Sequence, residues 1–300
     1  MAVVAGQFYF GSAGDLQPLP MLVAGGNPAV GPTRYGVLSR ALRGTPSVVT
    51  YGNRRSWPLA WDYMFHADTN IRTLQRVEAV YRGWVQRRAY LLDTRQVNAL
   101  QPDVSSCGGE LGIENFTATS GALNRVNSPA AHADLYGLCE GSLNWTVGAT
   151  GAGKQMGSNP MLPIYPGSSY LFSAYVNTTV GGSGSVKPTF FFYDKDRTLL
   201  GNVQASSAVT LSTTSARCSF LLPSGSVLAN SATFQVGFTT TVTTTELDTA
   251  GWQVEYDPVG GSTPAAWCMG AGSAEVVVET FNVVYPDAFG RQISATFLEA

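Results

Sequence analysis

Beyond residue 104 the chain carries no helix-period segment of useful length, and this limits its fold most. In place of helices it has Tyr170–Val176, Thr189–Tyr193, Arg217–Leu222, Thr233–Thr240, Trp252–Tyr256 and Glu275–Tyr285. Each is a run of about five to ten residues rich in aromatic and β-branched side chains, the length and content of a strand. Between them lie Val180-Gly-Gly-Ser-Gly184, Pro223-Ser-Gly225 and Val259-Gly-Gly-Ser262, which are turn sequences. Short strands at such spacing predict a β-sandwich or jelly roll.

Residues 1–103 read differently. Tyr35–Leu42, Ser47–Tyr51 and Ala89–Leu92 are strand-like. Trp57, Leu59, Trp61 and Tyr63 alternate with smaller or polar residues, which puts four large groups on one strand face. Pro58 lacks the N–H of a ladder and predicts an edge or bulged position there. Asp68 is placed to cap a helix over Thr69–Trp84, with Ile71, Leu74, Val77 and Tyr81 along one side and Gly83 as the stop. The expectation is a mainly β protein: an α+β unit of residues 1–103, then a β-sandwich.

Charge divides the chain at the same place. Only 13% of the 300 residues are charged, against about 25% in an ordinary domain. Residues 1–100 hold 11 Arg, no Lys and 5 acids, a balance of +6; residues 101–300 hold 7 bases and 15 acids, a balance of −8. With 44% apolar residues and a net charge of −2, the chain is not of disordered composition. Arg enrichment without Lys suits a protein–protein interface, and Arg54, Arg55, Arg87 and Arg88 are its candidates. No basic helix or stripe points to nucleic acid. The charge-free runs Gln155–Val186 and Cys218–Thr245 are too interrupted by Gly, Pro, Ser and Thr to span a membrane. Met1–Phe10 lacks the basic and apolar regions of a secretory signal.

Catalytic patterns are weak. Gly148-Ala-Thr-Gly-Ala-Gly-Lys154 approaches a phosphate-binding loop, yet Gln155 stands where the Mg²⁺-holding hydroxyl belongs and no helix can follow. His66 and His132 are the only histidines and stand in no nucleophile motif. Asp194/Asp196 and Glu246/Asp248 are carboxylate pairs close in sequence, which raises a glycosidase as a rival. Asp194 and Asp196 read first as a hairpin turn, with a Ca²⁺ site as the functional alternative and no other cofactor implied. Cys107, Cys139, Cys218 and Cys268 are too scattered for zinc; free buried thiols and one or two disulfides are the two readings.

The many aromatics of residues 104–273 belong mostly to a core, and some can stack on sugar rings. In Tyr170–Asn177 one face holds Tyr170, Phe172, Ala174 and Val176, and the other holds Leu171, Ser173, Tyr175 and Asn177. The second face is the more polar, so Tyr175 and Asn177, with Trp145, are the glycan-facing candidates.

Two resemblances follow from particular residues. Pro166-Gly-Ser-Ser-Tyr-Leu-Phe-Ser-Ala-Tyr-Val176, Phe190-Phe-Phe-Tyr-Asp194 and Trp252-Gln-Val-Glu255 resemble, in that order, the galactose-binding-like jelly rolls of carbohydrate-binding modules. Arg54-Arg55-Ser-Trp57-Pro-Leu59-Ala-Trp61, Val97-Asn-Ala-Leu100, Val284-Tyr-Pro286 and the closing strand Ile293–Ala300 resemble distal-tail-like minor tail proteins of long-tailed phages of actinobacteria. That resemblance implies a virion tail-tip protein forming a homo-oligomeric ring, commonly a hexamer. The ring would contact the tail tube protein and other tail-tip or baseplate proteins, with a host cell-wall glycan as a further partner. It also implies a structural, non-catalytic role, with residues 104–273 inserted as a β-sandwich into a ring domain made of residues 1–103 and 274–300. The alternative is a free-standing, lectin-like carbohydrate-binding protein whose first domain dimerises.

Overall fold

The computed structural model describes residues 7–20, 31–40, 46–65, 71–85, 88–107, 113–126, 135, 139, 141–148, 151–179, 184–241, 244–288 and 290–300; side chains are not described for 31–53, 62, 63 and 65. Asp68, His66, Arg87 and His132 lie outside the described residues. The fold is mainly β, built from antiparallel sheets. It divides into two compact units, one of Leu92–Ser273 with Ala13–Asp15, the other of Gln7–Ser12, Leu16–Leu91 and Ala274–Ala300.

The latter unit is a seven-stranded sheet backed by one helix. Its strands are β1 (Phe8–Ser12), β2 (Asp15–Pro18), β3 (Gly31–Arg40), β4 (Pro46–Phe65), β5 (Ala89–Asp93), β18 (Ser273–Val284) and β19 (Gly290–Glu299), in the order β2-β1-β5-β18-β19-β4-β3. The helix α1 spans Ile71–Tyr81. Ile71, Leu74 and Val77 pack on Trp57, Leu59, Trp61, Val276, Ile293 and Phe297, while Pro58 and Ala60 stay exposed, as the alternation predicts. Past Tyr81 the chain turns through Gly83 at φ +71°, a conformation that costs glycine little.

One strand replaces two expected ones. β4 runs unbroken through Asn53-Arg54-Arg55 because it changes partners there: β3 pairs with Pro46–Ser56, and β19 pairs from Ser56 to Phe65. Pro58, opposite Thr296, lies just past the β3 ladder, so its missing N–H falls where only β19 is paired among the described residues. At the hand-over Arg55 is 7% exposed and paired with Glu299, Nη2 to Oε1 at 2.7 Å and Nε to Oε2 at 3.1 Å. Its guanidinium also lies 5.1 Å from the Trp57 ring centre.

The other unit is a two-sheet sandwich. One sheet has the order β13-β12-β16-β9-β6, formed by β6 (Phe116–Ala118), β9 (Gln155–Ser158), β12 (Ser185–Tyr193), β13 (Leu199–Gln204) and β16 (Thr233–Thr240), with β10 (Leu162–Pro163) and β14 (Val209–Thr210) alongside. The second has the order β15-β11-β17-β8-β7, formed by β7 (Ala122–Val126), β8 (Ser142–Thr146), β11 (Tyr170–Asn177), β15 (Ala216–Leu222) and β17 (Glu246–Tyr256). A short helix α2 (Pro102–Ser105) begins this unit's path toward the sandwich. The core between the sheets takes Tyr170, Phe172, Ala174 and Val176 from β11 and Trp252 from β17. Trp252 meets Phe116, Phe172 and Phe238 edge-on at 5.2, 5.3 and 5.6 Å, the arrangement that ring quadrupoles favour.

Two side chains knit the ends of this unit. Asn98, fully buried, donates through Nδ2 to the carbonyls of Trp252 and Cys268, each at 2.9 Å, and accepts at Oδ1 from the N–H of Leu100 and of Val254. Ser105 Oγ accepts from Gly270 N at 2.7 Å and donates to Pro102 O.

All four cysteines are free thiols, which decides between the two readings of the sequence. Burial raises the Cys107 thiol well above its ordinary range and pushes Cys218 up to about 12. Cys139 is buried too, its thiol directed at the carbonyls of Ser106 and Gly141. Only Cys268 is partly exposed. The thiolate is the reactive form, so iodoacetamide at neutral pH should label Cys268 first and the other three only after denaturation. Mass spectrometry showing early labelling of Cys107 or Cys218 would contradict this burial.

Candidate functional site

The outer face of the five-stranded sheet is built by strict alternation. On β8, Leu143 and Trp145 enter the core and Asn144 and Thr146 face out; on β17, Leu247 enters and Glu246 and Asp248 face out. The ladder registers align these outward residues into rows. Asn124 of β7 pairs with Asn144 of β8, Asn144 with Asp248 of β17, and Asp248 with Asn177 of β11. The next row holds Ala122, Thr146 and Glu246. Three amides and a carboxylate therefore cross four strands in a line, each within cross-strand reach of the next.

The row runs from open to deep. Asn124 and Thr146 are exposed and Asn144 is half-buried, whereas Glu246, Asp248 and Asn177 are 8%, 4% and 1% exposed. Glu246 Oε1 accepts from Asn144 Nδ2 at 2.8 Å and from Thr179 Oγ1 at 2.7 Å. Asn144 Oδ1 accepts from Thr146 Oγ1 at 3.3 Å. Among the described residues no donor reaches the buried Asn177 Oδ1, a costly arrangement unless something else supplies one.

The other half of this face is closed by its own chain. Arg217 donates to Ala265 O at 2.6 Å and to Ser173 Oγ at 2.9 Å. Glu255 Oε1 accepts from Ala265 N and from Gln253 Nε2, and Gln253 Oε1 accepts from Cys268 N. These bonds lay residues 262–268 across the sheet. Tyr175 stands at the seam, its ring 5.6 Å from the Arg217 guanidinium and packed against the Leu135, Cys139 and Ala250 cluster. Beside it Gly251, at φ +58°, makes the bulge opposite Ala174. A Cβ at Gly251 would lie 2.5 Å from Leu135 Cδ1, a side-chain end that can turn aside, so the left-handed φ is the stronger demand for glycine there.

Measured against the sequence, the candidates separate. Asn177 lies in the polar row, and Tyr175, on the same face, is half covered. Trp145 lies elsewhere: it is wholly buried in the sandwich core, and its indole N–H donates to Ser120 O at 2.8 Å. It offers no ring face to a ligand, because the alternation that turns Asn144 outward turns Trp145 inward. Asp194 closes the hairpin between β12 and β13, its Oδ1 accepting from the N–H of Asp196 and of Thr198 at 2.8 Å each. The pair is a turn, and among the described residues no group of three or more His, Cys, Asp or Glu could hold a metal ion. The near phosphate-loop sequence leads from Lys154 directly into the strand β9, with Lys154 N donating to Thr240 Oγ1, so no helix N-terminus faces a phosphate. Arg54 donates to Glu299 O, Arg55 is spent on Glu299, and Arg88 pairs with Glu275 at 3.1 Å. No described helix is long and apolar enough to cross a membrane.

Asn124, Asn144 and Asp248 complete the row, with Glu246 in the row beside it, and none of them was assigned to it from sequence. Their signal was present in Leu143-Asn144-Trp145 and Leu247-Asp248-Thr249, a polar side chain between inward ones. What the sequence lacks is the register that brings the strands side by side.

No protein-family model matches the chain, and no curated protein matches it. Among solved structures, a bacteriophage CBA120 tailspike domain matches with a TM-score of 0.39 at 10% identity, over 53% of this chain and 21% of the tailspike chain. The CBM22-1 xylan-binding domain of Paenibacillus barcinonensis Xyn10C matches at 0.36 and 15% identity, over 49% of this chain and 88% of that one. TmCBM61, solved with β-1,4-galactotriose, matches at 0.33 and 10% identity, over 53% and 98%. The chain thus spans about a fifth of the tailspike domain it is similar to. Scores at this level mark a partial likeness in strand arrangement and establish no kinship.

Proposed function

We propose that this chain is a non-catalytic structural protein of a phage tail tip whose sandwich binds a glycan of the host surface through the Asn124–Asn144–Asp248–Asn177 row. The observation that supports glycan binding is that row itself. Planar amides and carboxylates bond adjacent sugar hydroxyls well, and a deep acceptor without a partner is a place for a ligand donor. The tail-tip half rests on the Arg54–Trp61 pattern and its companions in sequence. In this reading the α+β unit assembles with copies of itself and with tail tube protein.

The rival is a free-standing carbohydrate-binding protein. One observation favours it: Arg55 and Arg88, candidates for an assembly interface, are engaged by Glu299 and Glu275 of their own unit. Sedimentation of the purified chain, alone and with tail tube protein, separates the two. A closed ring is expected, and a chain that stays monomeric or dimeric under both conditions removes the ring. Glycan-array binding is expected to fall about tenfold in Asn144→Ala, which strips the row of its central amide. Undiminished binding in that variant, alongside loss in variants of another face, would move the site elsewhere.

A further inference from the structure

Two of the buried thiols meet at one point of the sandwich unit. Cys107 follows the short helix α2 at a left-handed φ of +52°, where glycine is the usual residue and other side chains are rare. A cysteine stands there instead, and the turn sends its side chain inward, 1% exposed. The N–H groups of Trp252 and Gly251, at the β17 bulge, point at its sulfur. Cys139 reaches the same bulge: it packs with Leu135 on Ala250, and its N–H donates to Leu135 O at 3.0 Å. Ser106 links the two more closely. Cys139 Sγ donates to Ser106 O at 2.9 Å, and that carbonyl belongs to the peptide bond leading into Cys107. In a trans peptide the oxygen lies about 2.8 Å from the next Cα, so Cys139 Sγ stands within about 6 Å of Cys107 Cα. A disulfide brings the opposite sulfur to about 4 Å from that Cα, a difference that side-chain rotation closes. Burial first, and then the neighbouring Cys139, raises the Cys107 thiol. The other cysteines stand elsewhere. Cys218 is on β15, two strand spacings or about 10 Å from β17, its thiol on Ala174 O. Cys268 is held through its N–H by Gln253 Oε1.

We propose that Cys107 and Cys139 are a redox pair, thiols in the reduced chain and a disulfide once a small-molecule disulfide such as oxidised glutathione reaches them. One protein thiolate attacks the small disulfide and expels one small thiolate; the second protein thiolate then attacks the mixed disulfide and expels the other. The two protein protons end on the two expelled thiolates, so the pair loses two electrons and the small disulfide gains them. Because both thiols are buried, the exchange takes place when the segment opens or as the chain folds. The bridge closes a loop from Cys107 to Cys139 and fastens Leu135 and Cys139 over Ala250, beside Tyr175. It is independent of the glycan-binding reading.

The test holds the folded full chain with oxidised glutathione, refolds a second sample in a mixture of reduced and oxidised glutathione, and traps both with iodoacetamide in denaturant. The thiol count is expected to fall from four to two, and peptide mass mapping to show Cys107–Cys139 as the dominant link. The melting temperature of the oxidised chain should rise by about 5 °C, return with dithiothreitol, and stay unchanged by oxidation in Cys139→Ala. The mass map needs only the parent chain, so a variant that fails to fold leaves the test intact. Four thiols remaining after both treatments overturn the pair, as does a dominant link from Cys107 or Cys139 to Cys218 or Cys268. Glutathione attached to single cysteines with no internal bond overturns it as well.

Discussion

Gly237→Ala is expected to cost the sandwich a large part of its stability. Gly237 sits mid-strand in β16, between Thr189 of β12 and Gly157 of β9. A Cβ there would fall onto the carbonyl of Met156 and within 2.7 Å of Gly157 Cα, so the obstacle is backbone on a paired strand. Backbone cannot rotate aside as a side chain does. Relief requires β9 to leave its ladder, and the β6 pairing at Phe116–Ala118 depends on β9 in turn. A loss above about 3 kcal/mol follows, a large part of a domain's usual 5–15 kcal/mol. Gly157→Ala is the graded control. Its Cβ would meet the Phe191 ring edge at 3.3 Å and Val236 O at 3.4 Å, contacts that a small ring shift relieves, so about 1 kcal/mol is expected. Urea unfolding of both variants measures this. Equal midpoints would mean that the two strands are not as close as described.

Asn98→Ala is the second large loss. It removes two donors and an acceptor serving four main-chain groups inside the unit, at Leu100, Trp252, Val254 and Cys268. Each buried group left without a partner costs about 1–3 kcal/mol, less where water enters the space, so a total of about 3–5 kcal/mol is expected. Asn98→Asp should be as damaging at neutral pH, because an ionised carboxylate would face the carbonyls of Trp252 and Cys268. Burial would raise the pKa of that carboxyl in the folded chain. Stability should therefore return in part as pH falls and the carboxyl regains a donor, and should be lost as pH rises through the folded pKa. Unfolding midpoints at acid and neutral pH, each compared with the parent, test the sign. A variant equally weak at both would show that charge is not what the site rejects.

Both residues show what the sequence could reveal and what it could not. Each expected run from Tyr170 onward falls within or nearly matches a strand, since alternation and turn residues are local signals, and Thr233–Thr240 coincides with β16; but β17 starts six residues earlier than expected, β12 four, and β13 was not foreseen. The helix ends at Tyr81, just before the expected stop at Gly83, while its expected start at Thr69 lies outside the described residues. The length of β4 was hidden, because it depends on β3 and β19, far apart in the chain, pairing with its two halves. The outward face of β11 was legible from Ser173, Tyr175 and Asn177, yet the polar row was not. It requires the registers of four strands drawn from residues 122–248, and register is a tertiary property. Trp145 was misplaced for a different reason: the local alternation of Leu143-Asn144-Trp145, which turns it inward, was passed over.

The clasp around Asn98 has a bearing on how such a protein can change. Asp93 N donates to Gly272 O at 2.6 Å, and the N–H groups of Ala271 and Gly272 both donate to Asn98 O, so the strand that enters the sandwich unit touches the strand that leaves it. A polypeptide segment whose two ends meet can be exchanged as a cassette. A host chain needs only one loop wide enough for two adjacent strands to receive it, and need not adjust its own core. Sandwich units could thereby be traded at this junction while the rest of the chain stays constant, as long as the asparagine that seals it travels with them.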